Sequence, residues 1–253
     1  MIAVFVNCGS IIIGSLVGLL FARRISESLS EIIRTAAGFV TTVIGVQMAF
    51  KYQSIVILAL SLIIGGILGS LWDWDGKILS AGRMLEKLVY RGTSLRRADP
   101  AGSENVRTPG TPGGWNFAYG FLNASVLFCV GAMAILGSFK AGIEKDYTII
   151  FTKSILDGFM AVTFAAAMGP GTLFSCLSVF IYQGALTLLS VLVKPYVTAA
   201  VVAELTASGG VLIMMIGINL LGIREIKTAN YLPAVLLAVL FALIRPLIQG
   251  MFL

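Results

Sequence analysis

Two ionisable side chains, Lys153 and Asp157, lie deep within one apolar stretch of this sequence, FTKSILDGF. Four residues apart, they fall on one face of a helix and can neutralise each other. Lys before Asp is the less favourable order with respect to the helix dipole, so propensity alone does not explain the pair. An intramembrane charge costs about 2.5 to 3.5 kcal/mol on insertion scales, so each such group is a functional candidate. Either the pair locks its helix against its neighbours, or Asp157 binds a proton or cation while Lys153 is the counter-charge that binding displaces. Glu204 lies roughly one and a half turns into a later apolar stretch, where the helix macrodipole also favours it. Glu31 lies near the start of an earlier one. Asn7, Gln47, Gln183 and Asn219 place four amides in apolar runs. Such amides are hydrogen-bonding glue between helices, worth about 0.6 kcal/mol each on average. The alternative is that their oxygens, with carbonyls freed near Gly209 and Gly210, hold a small cation or polar solute.

Much other chemistry is excluded. The chain has no histidine, which removes Ser-His-Asp and Cys-His nucleophiles, HExxH zinc sites and imidazole proton relays. Cys8, Cys129 and Cys176 fall on separate apolar stretches without a CxxC pair, and read as small packing residues with no disulfide or metal role. Aspartyl proteolysis within a membrane needs two facing aspartates, and only Asp157 is well inside a span. No P-loop or dinucleotide fingerprint occurs. The sequence therefore predicts neither an enzyme nor a cofactor protein.

The elements that must position these groups follow from composition. Of 253 residues, 58% are hydrophobic and 12% charged, where soluble domains carry roughly 25% charged residues. This predicts an all-α, polytopic membrane protein. Eight stretches have the roughly 17 to 25 residues needed to cross a bilayer: residues 2–22, 32–50, 54–72, 117–139, 147–168, 172–193, 198–223 and 231–252. Of the 18 Lys and Arg, twelve fall on one side of this arrangement, in residues 23–34, 77–107 and 224–227, and five on the other. The positive-inside rule then places both termini outside the cytoplasm. The net charge of +6 is read as topology and attraction to anionic lipid, with no nucleic-acid partner. Residues 76–91 space their apolar positions along one helical side among basic ones, predicting an amphipathic helix on the cytoplasmic leaflet. Residues 91–114, rich in Pro, Gly and Ser, predict a flexible linker.

The first and last thirds of the chain resemble each other. TAAGFVTTVIGVQ (35–47) and ASGGVLIMMIGIN (207–219) superpose at an offset of 172, pairing Gly38 with Gly210, Gly45 with Gly217 and Gln47 with Asn219. Upstream, Asn7 aligns with Gln183 at an offset of 176. An odd number of spans separates equivalent helices, so the sequence predicts an inverted-topology repeat of three helices, spans 1–3 and 6–8, around spans 4–5. The expected organisation is a first repeat at 1–72, an amphipathic helix and linker at 73–116, central helices at 117–168 and the inverted repeat at 169–253.

The strings VNCGSIIIGSLVGLL, GFVTTVIGVQMA, NASVLFCVGAMAILGS, TKSILDG, YQGALTLL and AELTASGGVLIMMIGINLLGI resemble the YqgA/YdfK-type family of bacterial membrane proteins, the domain of unknown function 554 family. The resemblance covers nearly the whole chain except the linker. It implies a polytopic fold in a bacterial inner membrane and supplies no substrate. The leading expectation is a secondary transporter of a small polar or charged solute, ion- or proton-coupled through Asp157. A passive channel of the same symmetry and a membrane scaffold or sensor stand as alternatives. The expected partners are the bilayer and a small solute or ion, with self-association into a homo-oligomer left open.

Overall fold

The structure, a computed structural model, describes residues 1–22, 26–90 and 116–251. Arg23, Arg24 and the linker read at 91–114 lie outside the described residues. Among the described residues eleven α-helices follow one another: α1 (Ile2–Ala22), α2 (Glu27–Ala49), α3 (Ile55–Leu71), α4 (Trp74–Tyr90), α5 (Phe117–Cys129), α6 (Ala132–Ile143), α7 (Thr148–Met168), α8 (Gly171–Leu188), the single turn α9 (Ser190–Val193), α10 (Ala199–Leu220) and α11 (Leu232–Met251). Among the described residues there is no strand. Of the helices among the described residues, six are long and apolar enough to cross a membrane, and eight spans result if each of two bent pairs is one span.

Helix starts are written in short polar side chains. Ser26, Ser54, Asn116 and Thr198 each accept a backbone N–H from the first turn of α2, α3, α5 and α10, satisfying donors that helix geometry leaves free. Gly169, at φ +88°, and Pro170 make the tight reversal between α7 and α8.

One expected span is not continuous. The stretch predicted as a single helix at 117–139 breaks after Cys129, and α5 and α6 meet at 61°. Val130 is extended and Gly131 takes φ +133°, a backbone conformation that L side chains rarely adopt. Val130 turns against Gly209 of α10, and Met48 of α2 packs over Gly131. The kink is thus held by tertiary contacts and one glycine. It leaves the N-terminus of α6 without a side-chain cap.

Close helix pairs are built on small residues, as lipid-embedded bundles require. Gly14 and Gly18 of α1 lie against the backbone of α7 at Gly158 and Val162, so the two helices run parallel. The two ends of the α2–α10 contact are reciprocal. A Cβ on Gly45 would stand 2.7 Å from the Gly210 carbonyl, and one on Gly217 would stand 2.8 Å from the Gly38 carbonyl. Gly65 and Gly69 of α3 sit against Ala234 and Asn230.

Burial runs as expected of a chain in a bilayer. Phe5, Ile13, Phe39, Val43 and Phe159 face outward, while Asn7, Lys153, Asp157, Gln183 and Glu204 are buried. The amphipathic segment forms α4, with Lys77, Arg83 and Lys87 exposed and Ile78, Leu79 and Leu85 half-covered. It docks on α5 through Gly82 against Ala118.

Candidate functional site

At 1.5 Å per residue, Lys153 and Asp157 lie about 8 and 14 Å along α7 from its first residue. Their side chains form a buried ion pair. The parallel α1–α7 contact brings Asn7 to the same place, where its amide nitrogen donates to Asp157 Oδ2 at 3.1 Å. α8 runs antiparallel to α1, with Cys8 near Cys176 and Met1 near Gly184, and delivers Gln183. The Asn7 nitrogen donates to Gln183 Oε1, also at 3.1 Å. Asn7 and Gln183 are wholly buried, and Asn7 Oδ1 and Gln183 Nε2 have no hydrogen-bond partner among the described residues. The cluster therefore holds one neutralised charge pair together with an unspent acceptor and an unspent donor.

The helix break is a neighbour of this cluster. Cys129, the last residue of α5, lies within electrostatic reach of both Lys153 and Asp157. The end of α5 thus lies on the side of the bundle that holds the ion pair. The sequence reading placed freed carbonyls at Gly209 and Gly210, but α10 runs unbroken through both. Those glycines serve close packing, against Val130 and against α2.

The remaining residues singled out by sequence lie elsewhere. Glu204 is 1% exposed, and its Oε1 accepts the backbone N–H of Gln53 at 3.0 Å and of Ser54 at 2.7 Å. It caps α3 from a different helix, and its Oε2 has no hydrogen-bond partner among the described residues. Glu31 is exposed on α2. The antiparallel register of α2 and α10 puts it at the opposite end from Glu204. Gln47 is exposed on the outer face of α2. Asn219 clamps the turn after α10, donating to Ile226 O at 2.8 Å and accepting from Ile226 N at 2.7 Å. Of the eight candidates, the structure brings together Asn7, Lys153, Asp157 and Gln183.

Two further residues escaped the sequence reading. Tyr119 and Asn123, one turn apart on α5, lie at the other membrane face from Lys153, since Gly120 packs on the last residue of α7, Met168. The Tyr119 hydroxyl lies beside Asn123 and Asn219. An amide and a phenol at i, i+4 inside an apolar run were the available signal.

Outside the membrane-spanning helices, burial pushes the Asp75 carboxyl above its ordinary range, opposed by the Ala229 N–H and by Lys227. Asn230 accepts the Asp75 N–H at 2.9 Å, so α4 and the turn before α11 hold each other from both sides.

The chain is 28% identical over 235 residues to "Uncharacterized membrane protein YdfK" of Bacillus subtilis (strain 168), with 91% of each chain covered. It is 26% identical over 234 residues to "Uncharacterized protein YqgA" of Escherichia coli (strain K12), covering 92% of this chain and 93% of the relative. No solved structure matches. The family model described as "Protein of unknown function (DUF554)" matches residues 2–243, taking in every helix of the buried cluster, and the chain belongs to that family of helical membrane proteins.

Proposed function

We propose that this protein is a secondary transporter of a small polar or charged solute across the bacterial plasma membrane, with both termini outside the cytoplasm. The observation that carries the reading is the buried cluster of Lys153, Asp157, Asn7 and Gln183, drawn from α7, α1 and α8 and set beside the α5–α6 break. A charge pair in a membrane interior is costly to keep. One that borders a discontinuous helix and retains an unspent donor and acceptor is suited to exchange partners with a solute or ion. Asp157 is the group that would take the proton or cation, and Lys153 the counter-charge released when it does.

The second support is symmetry. If α1–α3 and α8–α11 are inverted repeats, their contacts must be self-complementary, as across any two-fold axis. The Gly45–Gly210 and Gly217–Gly38 approaches exchange into each other under the offset of 172. Inverted repeats in membrane transporters place the solute site between the repeats and expose it to alternate sides by rocking. The basic face of α4, with Lys77, Arg83 and Lys87 exposed, supports a cytoplasmic position for that helix.

The test is flux in proteoliposomes under an imposed proton or sodium gradient, screened over small charged and polar metabolites. Gradient-dependent uptake lost in Asp157→Asn is the expected result. Uptake indifferent to that substitution removes Asp157 from the mechanism, and gradient-independent conductance replaces the transporter with a channel.

A further inference from the structure

Asn123 is fully buried in α5, and neither its amide nitrogen nor its carbonyl oxygen has a hydrogen-bond partner among the described residues. The buried hydroxyl of Tyr119 is in the same condition. An amide left unpaired in an apolar medium costs several kcal/mol. A chain that keeps three such atoms side by side needs something to pair them. The Tyr119 hydroxyl lies within interaction range of Asn123 and Asn219, but no contact to either meets hydrogen-bond geometry. A gap of that kind between polar groups is what a bridging molecule fills.

We propose that Tyr119, Asn123 and Asn219 form a second binding site, for a neutral molecule that both donates and accepts hydrogen bonds: water or a small solute bearing a hydroxyl or amide. The chemistry of the donor set selects this class. Asn123 offers two N–H donors and an acceptor, and Tyr119 a hydroxyl that does either. Asn219 already holds Ile226 through both ends of its amide, so it fixes one wall of the site. A bare cation would find only two uncommitted oxygens and no carboxylate in direct contact, too few to replace its hydration shell. The nearest acids, Asp75 and Glu225, act on Tyr119 only at longer range.

Position gives the site its meaning. Tyr119 stands near the start of α5 and Asn219 near the end of α10, at the membrane face opposite the Lys153–Asp157 cluster. Val130, just past the end of α5 and wedged against Gly209 of α10, stands between the two. The site is thus a polar station on the far side of the helix break. The assignment does not depend on whether the protein moves solute.

The test is radiolytic hydroxyl-radical footprinting of the full-length protein in nanodiscs of phosphatidylethanolamine and phosphatidylglycerol. Bound water activates its immediate neighbours, so Tyr119 should be oxidised several-fold faster than Tyr182, a second largely buried tyrosine. Asn123→Leu should suppress that labelling and lower the melting temperature. Saturable protection of Tyr119 by millimolar acetamide or glycerol assigns the site to a solute, and rapid labelling without protection assigns it to water. The proposal is overturned if wild-type Tyr119 is as inert as Tyr182, or if Asn123→Leu melts higher than wild type with labelling unchanged. The wild-type labelling rate decides the matter even if the variant does not fold, and loss of flux in Asp157→Asn is independent of either result.

Discussion

Asn7 and Gln183, from helices far apart in the chain, meet head to head: the Asn7 amide nitrogen donates to the Gln183 oxygen and to Asp157, at 3.1 Å each. Both hydrogens of one nitrogen are spent, and three helices are tied at a single atom. Asn7→Leu should therefore destabilise by about 2 kcal/mol, since two buried acceptors lose a donor. In the double variant Asn7→Leu, Gln183→Leu the two losses should not add, because the pair shares one bond. Thermal unfolding in detergent measures both; strict additivity would show that the bond contributes nothing.

The ion pair makes an asymmetric prediction. Removing one member strands a buried charge, so Asp157→Leu and Lys153→Met should each cost about 3 to 5 kcal/mol. Combined, they replace a charge pair with apolar side chains of similar size, and stability should return to within about 1 to 2 kcal/mol of wild type. Transport should stay lost in the double variant. A double variant that melts as low as the single ones would contradict the pairing.

Glu204 holds the two amides that lead into α3, those of Gln53 and Ser54. Glu204→Ala frees two backbone donors and a helix start, and should cost about 2 kcal/mol. The signature is local: hydrogen exchange at Gln53 and Ser54 should rise sharply while the amides of α7 keep their protection. Uniform loss of protection would mean a global defect.

Gly131 can be compared with a second glycine of positive φ. Gly131 takes φ +133° beneath Met48, whereas Gly222 takes φ +70° with open space around it. Gly222→Ala should cost about 1 kcal/mol, within the range for a single left-handed residue. Gly131→Ala should cost about 1 to 3 kcal/mol and depress flux out of proportion to stability, because it disturbs the break beside the cluster. Equal flux in the two variants would separate the break from function.

Asp75 gives a pH dependence. Its carboxyl is raised in the folded protein, first by burial, so the fold binds that proton more tightly than the unfolded chain does. The stabilisation is complete below the ordinary aspartate value of about 3.9 and is lost as pH rises through the folded value. Docking of α4 should loosen from about pH 4 upward, read as faster hydrogen exchange at the Asp75 and Ala229 amides after correction for intrinsic rates. Asp75→Asn keeps an acceptor without the titration and should flatten the profile.

The spacing of Lys153 and Asp157 made their pairing legible, because a period of 3.6 puts i and i+4 on one face. Asn7 and Gln183 were legible as buried amides by their apolar surroundings. That they bond to each other was not legible, because the repeat only aligns them as equivalents and the contact depends on how α1 packs on α8. The helix break was invisible: VLFCVGAMAIL is apolar throughout, and the bend is imposed by Val130 meeting Gly209 and Met48 covering Gly131. Glu204 read as an acid near its own helix start, since no pattern in side chains reveals a carboxylate that binds another helix's backbone. Gln47 matched Asn219 by alignment but faces outward, because the α2–α10 contact runs through the glycines and leaves position 47 on the opposite side. Asn123 was not legible as a site residue, because a single amide in an apolar span reads as interhelical packing until its partners are known.

The grip of Glu204 on Gln53 and Ser54 has a mechanical side. In the proposed repeat α10 belongs to one half and α3 to the other, so this carboxylate would be a rivet across the boundary that a rocking motion has to cross. With both backbone donors held on one oxygen, the end of α3 can swivel about that point but cannot slide along it. A relative movement of the proposed halves that keeps both bonds would pivot near Ser54.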